Sequence, residues 1–186
     1  MKHNRIHPSE GKIIFFLTFI HFIHLVDFVV IMPLGPTLME KLNIGPAAFA
    51  SLVSAYNFAG ALTGLIISLF ADKFEKKRLL TIALIGLGFG TITCGLSSSG
   101  SHLIIARSIT GFFGGFLNPL IFALVAEWVP EKRRGRAMGW VMSGFSLASV
   151  FGVPLGLLIN DYFGFEWTFY TVSFFIFMTA FGCYYY

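Results

Sequence analysis

Residues 60–78 read GALTGLIISLFADKFEKKR, and this stretch decides the fold because it joins a small-residue helix face to a charged exit from a membrane. Gly60, Gly64 and Ser68 are spaced four apart, so they share one face of a helix. Side chains this small let a neighbouring helix approach closely, which is how helices pack in lipid. The charged cluster that follows holds one acid at its start, Asp72, and four basic residues, which is typical of the cytoplasmic end of a membrane span.

The composition of the whole chain is that of an all-α membrane protein. Hydrophobic residues make up 56% of the 186 residues and charged residues 12%, whereas a soluble domain carries about 25% charged residues. Little chain remains outside the apolar segments, which excludes a separate soluble catalytic or nucleic-acid-binding domain. We therefore expect one six-helix transmembrane bundle over residues 1–186. Six segments are long enough to cross the ~30 Å bilayer core at ~1.5 Å per residue, at about 13–34, 47–70, 79–97, 103–126, 137–159 and 167–186.

Basic residues are distributed unequally between the two ends of these segments. Three precede the first span, four lie between spans two and three, and four lie between spans four and five, against Lys41 alone at the other end. By the positive-inside rule, both termini are cytoplasmic. We expect a multi-pass protein of a plasma membrane, such as a bacterial inner membrane, surrounded by the lipid bilayer. The net charge of +4 reflects this topology, so we expect no nucleic-acid partner.

Span one carries three ionisable residues at three-residue steps, His21, His24 and Asp27. Asp27 lies about 14 residues into the span, where an ionisable group costs a few kcal/mol and is by default a functional candidate. The alternative is a structural carboxylate that pairs with a neighbouring helix. Each histidine is either hydrogen-bonded packing or part of a relay, and His24 is the better relay candidate.

Arg107 lies about five residues into span four, counted from the opposite side of the membrane. It is close enough to the outer interface to snorkel there. Against this, Gly111, Gly114 and Asn118 fall within about 60° of Arg107 on a helical wheel, giving a small, partly polar face suited to a protein interior or cavity. If spans one and four adjoin, Arg107 and Asp27 can pair.

Two further polar residues, Tyr56 and Asn57, lie in span two beside the small-residue face. They either contact a solute or bond another helix. Cys94 and Cys183 lie in or near apolar spans without metal-ligand spacing, so we expect packing roles, no metal site and no cofactor. No spaced cluster of ionisable residues and no nucleophile with a nearby base lies at either water interface, so we do not expect an enzyme.

Span five repeats the four-residue spacing of small residues and also contains a proline. Proline removes a backbone hydrogen bond and bends a helix, which lipid tolerates only when neighbours satisfy the freed carbonyl. We therefore expect span five to be kinked or tightly packed. The residues concerned are Gly144, Ala148, Gly152, Gly156 and Pro154.

Three stretches together resemble the major facilitator superfamily of transporters. The loop between helices two and three of that family reads Gly-x3-Asp-Arg/Lys-x-Gly-Arg/Lys-Arg/Lys, and the frame here is Ser68-x3-Asp72-Lys73-Phe74-Glu75-Lys76-Lys77. Ser68 and Glu75 replace the two glycines. The helix-four arginine motif of the family looks like Arg107-x3-Gly111-x3-Gly115, and its cytoplasmic loop four is similar to residues 131–139.

Helix five resembles one branch of the family more selectively. Gly144 with Gly152-Val153-Pro154-Leu155-Gly156 is similar to the antiporter motif of the drug:proton antiporter branch. The chain departs from the usual Gly-Pro pair by the insertion of Val153. This likeness favours an exporter.

The resemblance implies a bundle equal to the N-terminal half of a twelve-helix transporter that rocks around a midplane site. It implies efflux of small organic solutes coupled to protons, with Asp27 binding and releasing the proton. The proton and solute path would contain Asp27, Arg107, His24, Tyr56, Asn57 and Asn118. A latch that joins the two halves on the cytoplasmic side would contain Gly60, Gly64, Ser68, Asp72, Lys73, Lys76 and Lys77.

The second half of such a transporter is not evident in the sequence. The last span ends in Tyr184-Tyr185-Tyr186 without the basic residues found at the three other cytoplasmic ends. We expect either a truncated fragment or a half-size protein that pairs with a second copy or another chain, and parallel repeats permit a parallel homodimer. The alternative functions are a non-transporting assembly partner or remnant, and a solute uptake transporter of the same superfamily.

Overall fold

The computed structural model describes residues 8–70 and 74–185, and these residues form helices joined by short turns. The third helix is the long apolar one that ends in the stretch 60–70. The fifth span is divided by a short π-helical segment at Ala148–Gly152. The helices are α1 Pro8–Val30, α2 Gly35–Lys41, α3 Pro46–Phe70, α4 Lys76–Gly95, α5 Gly100–Trp128, α6 Glu131–Leu147, α7 Val153–Phe163 and α8 Phe165–Tyr185.

Five segments of the described chain are long and apolar enough to cross a membrane: Glu10–Val30, Pro46–Leu69, Lys76–Gly95, Gly100–Trp128 and Glu131–Phe163. The sixth predicted segment forms α8, whose 21 residues give the length of a span. The all-α membrane fold is confirmed. The basic residues 132–136, predicted to lie in a loop, instead belong to the first turns of α6.

The helices pack as neighbouring pairs around an apolar interior. α3 lies along α5, α4 lies between α5 and α8, and α1 contacts α5, α8 and all parts of the fifth span. Apolar side chains from α1, α3, α4, α5, α6 and α8 fill the main core, among them Leu17, Leu84, Leu87, Leu120 and Ile176. This arrangement brings α1 next to α5, as required for Asp27 and Arg107 to meet.

The small residues of α3 pack directly on those of α5. A Cβ atom on Gly111 or Gly115 would overlap the backbone oxygen of Tyr56 or Gly60 respectively. A Cβ atom on Gly60 would lie 3.2 Å from the Gly111 oxygen, and one on Gly64 would lie 3.4 Å from the Gly115 oxygen. Glycine is therefore required where the two backbones meet, and the close approach predicted for this face is confirmed.

The glycines of the fifth span pack against α1. A Cβ atom on Gly144 would lie 3.0 Å from His21 Nδ1, one on Gly152 would overlap Val26, and one on Gly156 would lie 2.6 Å from Val30 Cγ2. The widened π turn ends just before Pro154, which enters the first turn of α7, where a missing N–H is tolerated. The fifth span is thus both distorted and tightly packed on one side.

Candidate functional site

Asp27 of α1 and Arg107 of α5 form an ion pair inside the bundle. Arg107 Nη1 lies 3.4 Å from Asp27 Oδ2 and donates to the Asp27 backbone oxygen at 3.3 Å. The two side chains are 0% and 1% exposed. Arg107 therefore does not snorkel to an interface, because its charge is matched by a carboxylate within the protein.

A third helix completes the environment of Asp27. The Thr91 hydroxyl of α4 donates to Asp27 Oδ1 at 2.9 Å, so each carboxylate oxygen has its own partner. The same hydroxyl lies 2.9 Å from the Leu87 backbone oxygen. Because hydroxyls in membrane helices commonly bond the carbonyl four residues earlier, sequence reasoning missed Thr91 and had no pattern with which to find it.

Tyr56 of α3 covers the ion pair. Its ring centre lies 4.2 Å from Arg107 Cζ, in a cation–π contact, and 5.3 Å from the ring centre of Phe28. The Tyr56 side chain is buried, with 5% of the residue exposed. A desolvated cation–π contact of this kind stabilises by about 2 kcal/mol, so the ring is part of what holds Arg107 in place.

A cavity of about 360 Å³ lies beside Tyr56, between α1, α3 and α5. None of the described residues lining it is charged, and neither Asp27 nor Arg107 is among them. The structure thus divides the predicted path into an enclosed ion pair and a separate neutral cavity. The predicted residues that line the cavity are His24, Tyr56, Asn57, Gly60, Gly64 and Asn118.

Two buried polar atoms of residues that line the cavity have no hydrogen-bond partner among the described residues. They are His24 Nδ1 and Tyr56 Oη, and both residues are 5% exposed. A Cβ atom on Gly114 would lie 2.7 Å from Tyr56 Oη and 3.1 Å from His24 Cε1, so this glycine makes room for both side chains. A buried polar atom left unpaired costs about 1–3 kcal/mol, and a bound molecule with a hydrogen-bonding group would recover that cost.

His21 and Asn57 each bond a backbone oxygen. His21 Nδ1 lies 2.8 Å from the Val141 backbone oxygen and so joins α1 to α6. The Asn57 amide donates to the Val53 oxygen of its own helix at 2.9 Å, although Asn57 also lines the cavity. Of the two histidines in α1, only His24 faces the cavity.

The residues expected to form the latch lie in several places. Asp72 and Lys73 lie outside the described residues. Lys76 Nζ lies 3.2 Å from Glu127 Oε2 and connects the start of α4 to the end of α5. The remaining expected latch residues belong to α3 and α4. Gly60 and Gly64 pack against α5, the Ser68 hydroxyl donates to the Gly64 backbone oxygen, and Lys77 lies in the first turn of α4.

The glycines and proline of the fifth span do not line the cavity beside Tyr56. Gly152 and Gly156 instead line a second cavity of about 350 Å³ between α1, α7 and α8, whose surface is wholly apolar. Within the described part of the chain, no group of three or more His, Cys, Asp or Glu residues is placed to hold a metal ion. The polar chemistry is thus concentrated where α1, α3, α4 and α5 meet.

Comparison with curated proteins gives relatives that are membrane transporters. The chain is 36% identical over 152 residues to an uncharacterized MFS-type transporter of Mycobacterium tuberculosis, covering 80% of this chain and 26% of that protein. It is 33% identical over 122 residues to Multidrug resistance protein 3 of Bacillus subtilis, covering 66% and 24%. The chain spans about a fifth to two fifths of the length of these and other curated relatives.

Solved structures show the same fold. A bacterial homologue of the human lysosomal transporter Spinster, in an inward-facing and occupied conformation, superposes with a TM-score of 0.85 at 18% identity. The match covers 96% of this chain and 44% of that one. The family model described as Major Facilitator Superfamily matches residues 17–186. With this match, the helix packing and the transporter relatives in agreement, the chain belongs to the Major Facilitator Superfamily of membrane transporters, and it is not an enzyme.

Proposed function

We propose that the protein is one half of a secondary active transporter that exports small organic solutes in exchange for protons by alternating access. Relatives named as multidrug resistance proteins support export of organic compounds. The fifth-span glycines that resemble an antiporter motif support exchange. The observation that carries the proposal is the enclosed Asp27–Arg107 ion pair beside a neutral cavity.

The ion pair supplies a means of coupling. A proton on Asp27 removes the negative charge that Arg107 contacts, so proton binding weakens an attachment between α1 and α5. By thermodynamic linkage, a solute that changes the relative position of these helices changes proton binding by the same free energy. Asp27 is the proposed proton carrier, and Arg107 and Thr91 are the groups that hold its charged form.

The cavity supplies the proposed solute site. Its volume of about 360 Å³ falls within the range of small-molecule pockets, and it offers aromatic rings together with amide, imidazole and phenol groups. Such a lining suits organic solutes that combine an apolar body with a hydrogen-bonding group. His24, Tyr56, Asn57 and Asn118 are the proposed solute contacts.

A second six-helix unit completes the proposed transporter. The most apolar stretches of α3 and of the fifth span are only 22% buried, against 61% for α1, so among the five apolar spans these two offer the most uncovered surface. A C-terminal half, a second copy or another chain would pack there, and Asp72, Lys73, Lys76 and Lys77 are the proposed latch between the units. We propose a bacterial inner membrane with both termini in the cytoplasm, because the basic residues at the start of α4 and at the start of α6 favour that orientation.

Transport in proteoliposomes tests the function. The protein, alone and together with any six-helix partner that copurifies with it, is reconstituted with an imposed pH gradient and neutral, cationic and anionic aromatic dyes. We expect dye movement that follows the gradient and stops when a protonophore collapses it. Failure of every dye to respond to the gradient, in folded protein with its partner bound, would refute proton-coupled export.

A further inference from the structure

We infer that the Tyr56 side chain is a movable shield between the cavity and the Asp27–Arg107 pair, and that its displacement admits water to the pair. The shielding is a property of the packing alone. Its role in coupling solute to proton rests on the proposed function.

The position of Tyr56 between two compartments is the first support. One side of the ring contacts the Arg107 guanidinium at 4.2 Å, while the residue also lines the cavity. Arg107 and Asp27 do not line the cavity and are at most 1% exposed. The Tyr56 ring is therefore a wall residue of the cavity that also contacts the ion pair directly.

The way Tyr56 is held is the second support. Its hydroxyl has no hydrogen-bond partner among the described residues, so the ring is fixed by packing and by its contacts with Arg107 and Phe28. Ring contacts of this kind are less directional than a hydrogen bond, which lets the ring turn without breaking a polar bond. The hydroxyl packs against Gly114, where a Cβ atom would lie 2.7 Å from it, so a side chain at this position would restrict the ring.

Unpaired polar atoms around the ring are the third support. Arg107 Nε, His24 Nδ1 and Tyr56 Oη are all buried without hydrogen-bond partners in the described part of the molecule. Water that enters when the ring turns would form hydrogen bonds with all three atoms. The shielded state therefore carries the free-energy cost of leaving these polar groups unpaired. A solute that forms hydrogen bonds with Tyr56 Oη and His24 Nδ1 would displace the same ring. Solute binding in the cavity would thus affect the ion pair.

Cys94 is a native reporter for the experiment. It is fully buried, and its thiol lies beside Arg107 and Thr110. Replacing the other cysteine, Cys183, by alanine leaves Cys94 as the reporting thiol. The probe is a small water-soluble methanethiosulfonate reagent applied to the protein in membranes, and mass spectrometry gives the modification rate.

In this background we expect Tyr56→Ala to raise the rate at Cys94 at least tenfold. Tyr56→Phe keeps the ring, and Phe58→Ala removes an aromatic ring of the same helix that is 75% exposed. In both variants, the modification rate at Cys94 should therefore stay within twofold of the rate in the Cys183→Ala background. A Cys94 rate unchanged in folded Tyr56→Ala would overturn the shield. Should Tyr56→Ala not fold, Tyr56→Leu takes its place, with an expected increase of at least fivefold and the same contrary result.

Two transport readouts separate this inference from the proposed function. In proteoliposomes, Tyr56→Ala should increase proton influx without solute and reduce pH-driven dye movement at least tenfold, whereas Phe58→Ala, outside the cavity, should leave both unchanged. Faster Cys94 labelling with no proton leak would support the shield and overturn its role in coupling. Normal pH-driven transport with unchanged labelling would overturn the shield and leave the proposed function standing.

Discussion

Arg107 Nη1 and Asp27 Oδ2 lie 3.4 Å apart although the residues are 80 positions apart in the chain. Both side chains are almost completely excluded from the surface, so neither charge has an alternative partner in water. Removing one member of such a pair leaves an uncompensated buried charge, whereas removing both does not. The free energy of unfolding should therefore depend strongly on whether the two residues are changed singly or together.

The first prediction concerns this dependence. Arg107→Met should lower the free energy of unfolding by about 3–5 kcal/mol, because the Asp27 carboxylate is left unpaired. The double variant Asp27→Asn/Arg107→Met should recover at least half of that loss, and Arg78→Met, at an exposed position, should change little. Denaturant titration in mixed micelles measures all three. Equal losses in the single and double variants would mean that the pair is not energetically coupled.

The second prediction concerns the contact between α3 and α5. Gly115→Ala should destabilise the protein by about 1–3 kcal/mol, because the added methyl group meets the Gly60 backbone oxygen and the helices must separate. Gly139→Ala is the matched control, since a Cβ atom there has no neighbour within 4 Å. Thermal unfolding in detergent compares the variants. Equal midpoints for the two alanine variants would contradict the close contact.

The third prediction concerns α1 and the fifth span. Gly152→Ala should weaken their packing because the added methyl group overlaps Val26 Cγ2. Val26→Ala removes the opposing atoms, so the double variant should be more stable than Gly152→Ala alone, as expected of residues in direct contact. The same unfolding assay tests this rescue. Strictly additive losses would show that the two residues do not meet.

The fourth prediction concerns orientation. Gly45→Cys, at the turn before α3, should react with an impermeant thiol reagent added outside intact cells, and Gly135→Cys, in the first turns of α6, should react only after the membrane is opened. A Cβ atom at either position would have no neighbouring heavy atom within 4 Å, so the new thiols are not hindered. The reverse pattern would invert the topology that the basic residues predict.

The sequence predicted those features that follow from helical periodicity. The spacing of Gly60 and Gly64 marked a close helix contact, and the glycine face next to Arg107 favoured an interior position over a snorkelling one. The pairing with Asp27 could be stated only as conditional on adjoining helices. Periodicity places a residue on a face, but it does not name the helix opposite.

Features that depend on tertiary neighbours were missed. Thr91 and Thr81 each have a hydroxyl close to the carbonyl four residues earlier, yet only Thr91 reaches Asp27, so the sequence offers no means to separate them. The stacking of Tyr56 on Arg107 likewise cannot be predicted without knowing how α3 packs against α5. The extent of α6 was underestimated because its first turns are basic, and a run of charged residues favours a loop.

The proposed role of Asp27 as the proton carrier is tested most directly by pH-driven solute accumulation in Asp27→Asn proteoliposomes. Asparagine keeps the size of the side chain and an oxygen for Thr91, but it cannot take up a proton. Asp161→Asn, an exposed acid in α7, is the matched control. We predict that Asp27→Asn loses gradient-driven accumulation at least tenfold and retains passive exchange of solute, while the control is unchanged. Gradient-driven accumulation by Asp27→Asn at the rate of the unaltered protein would contradict this role.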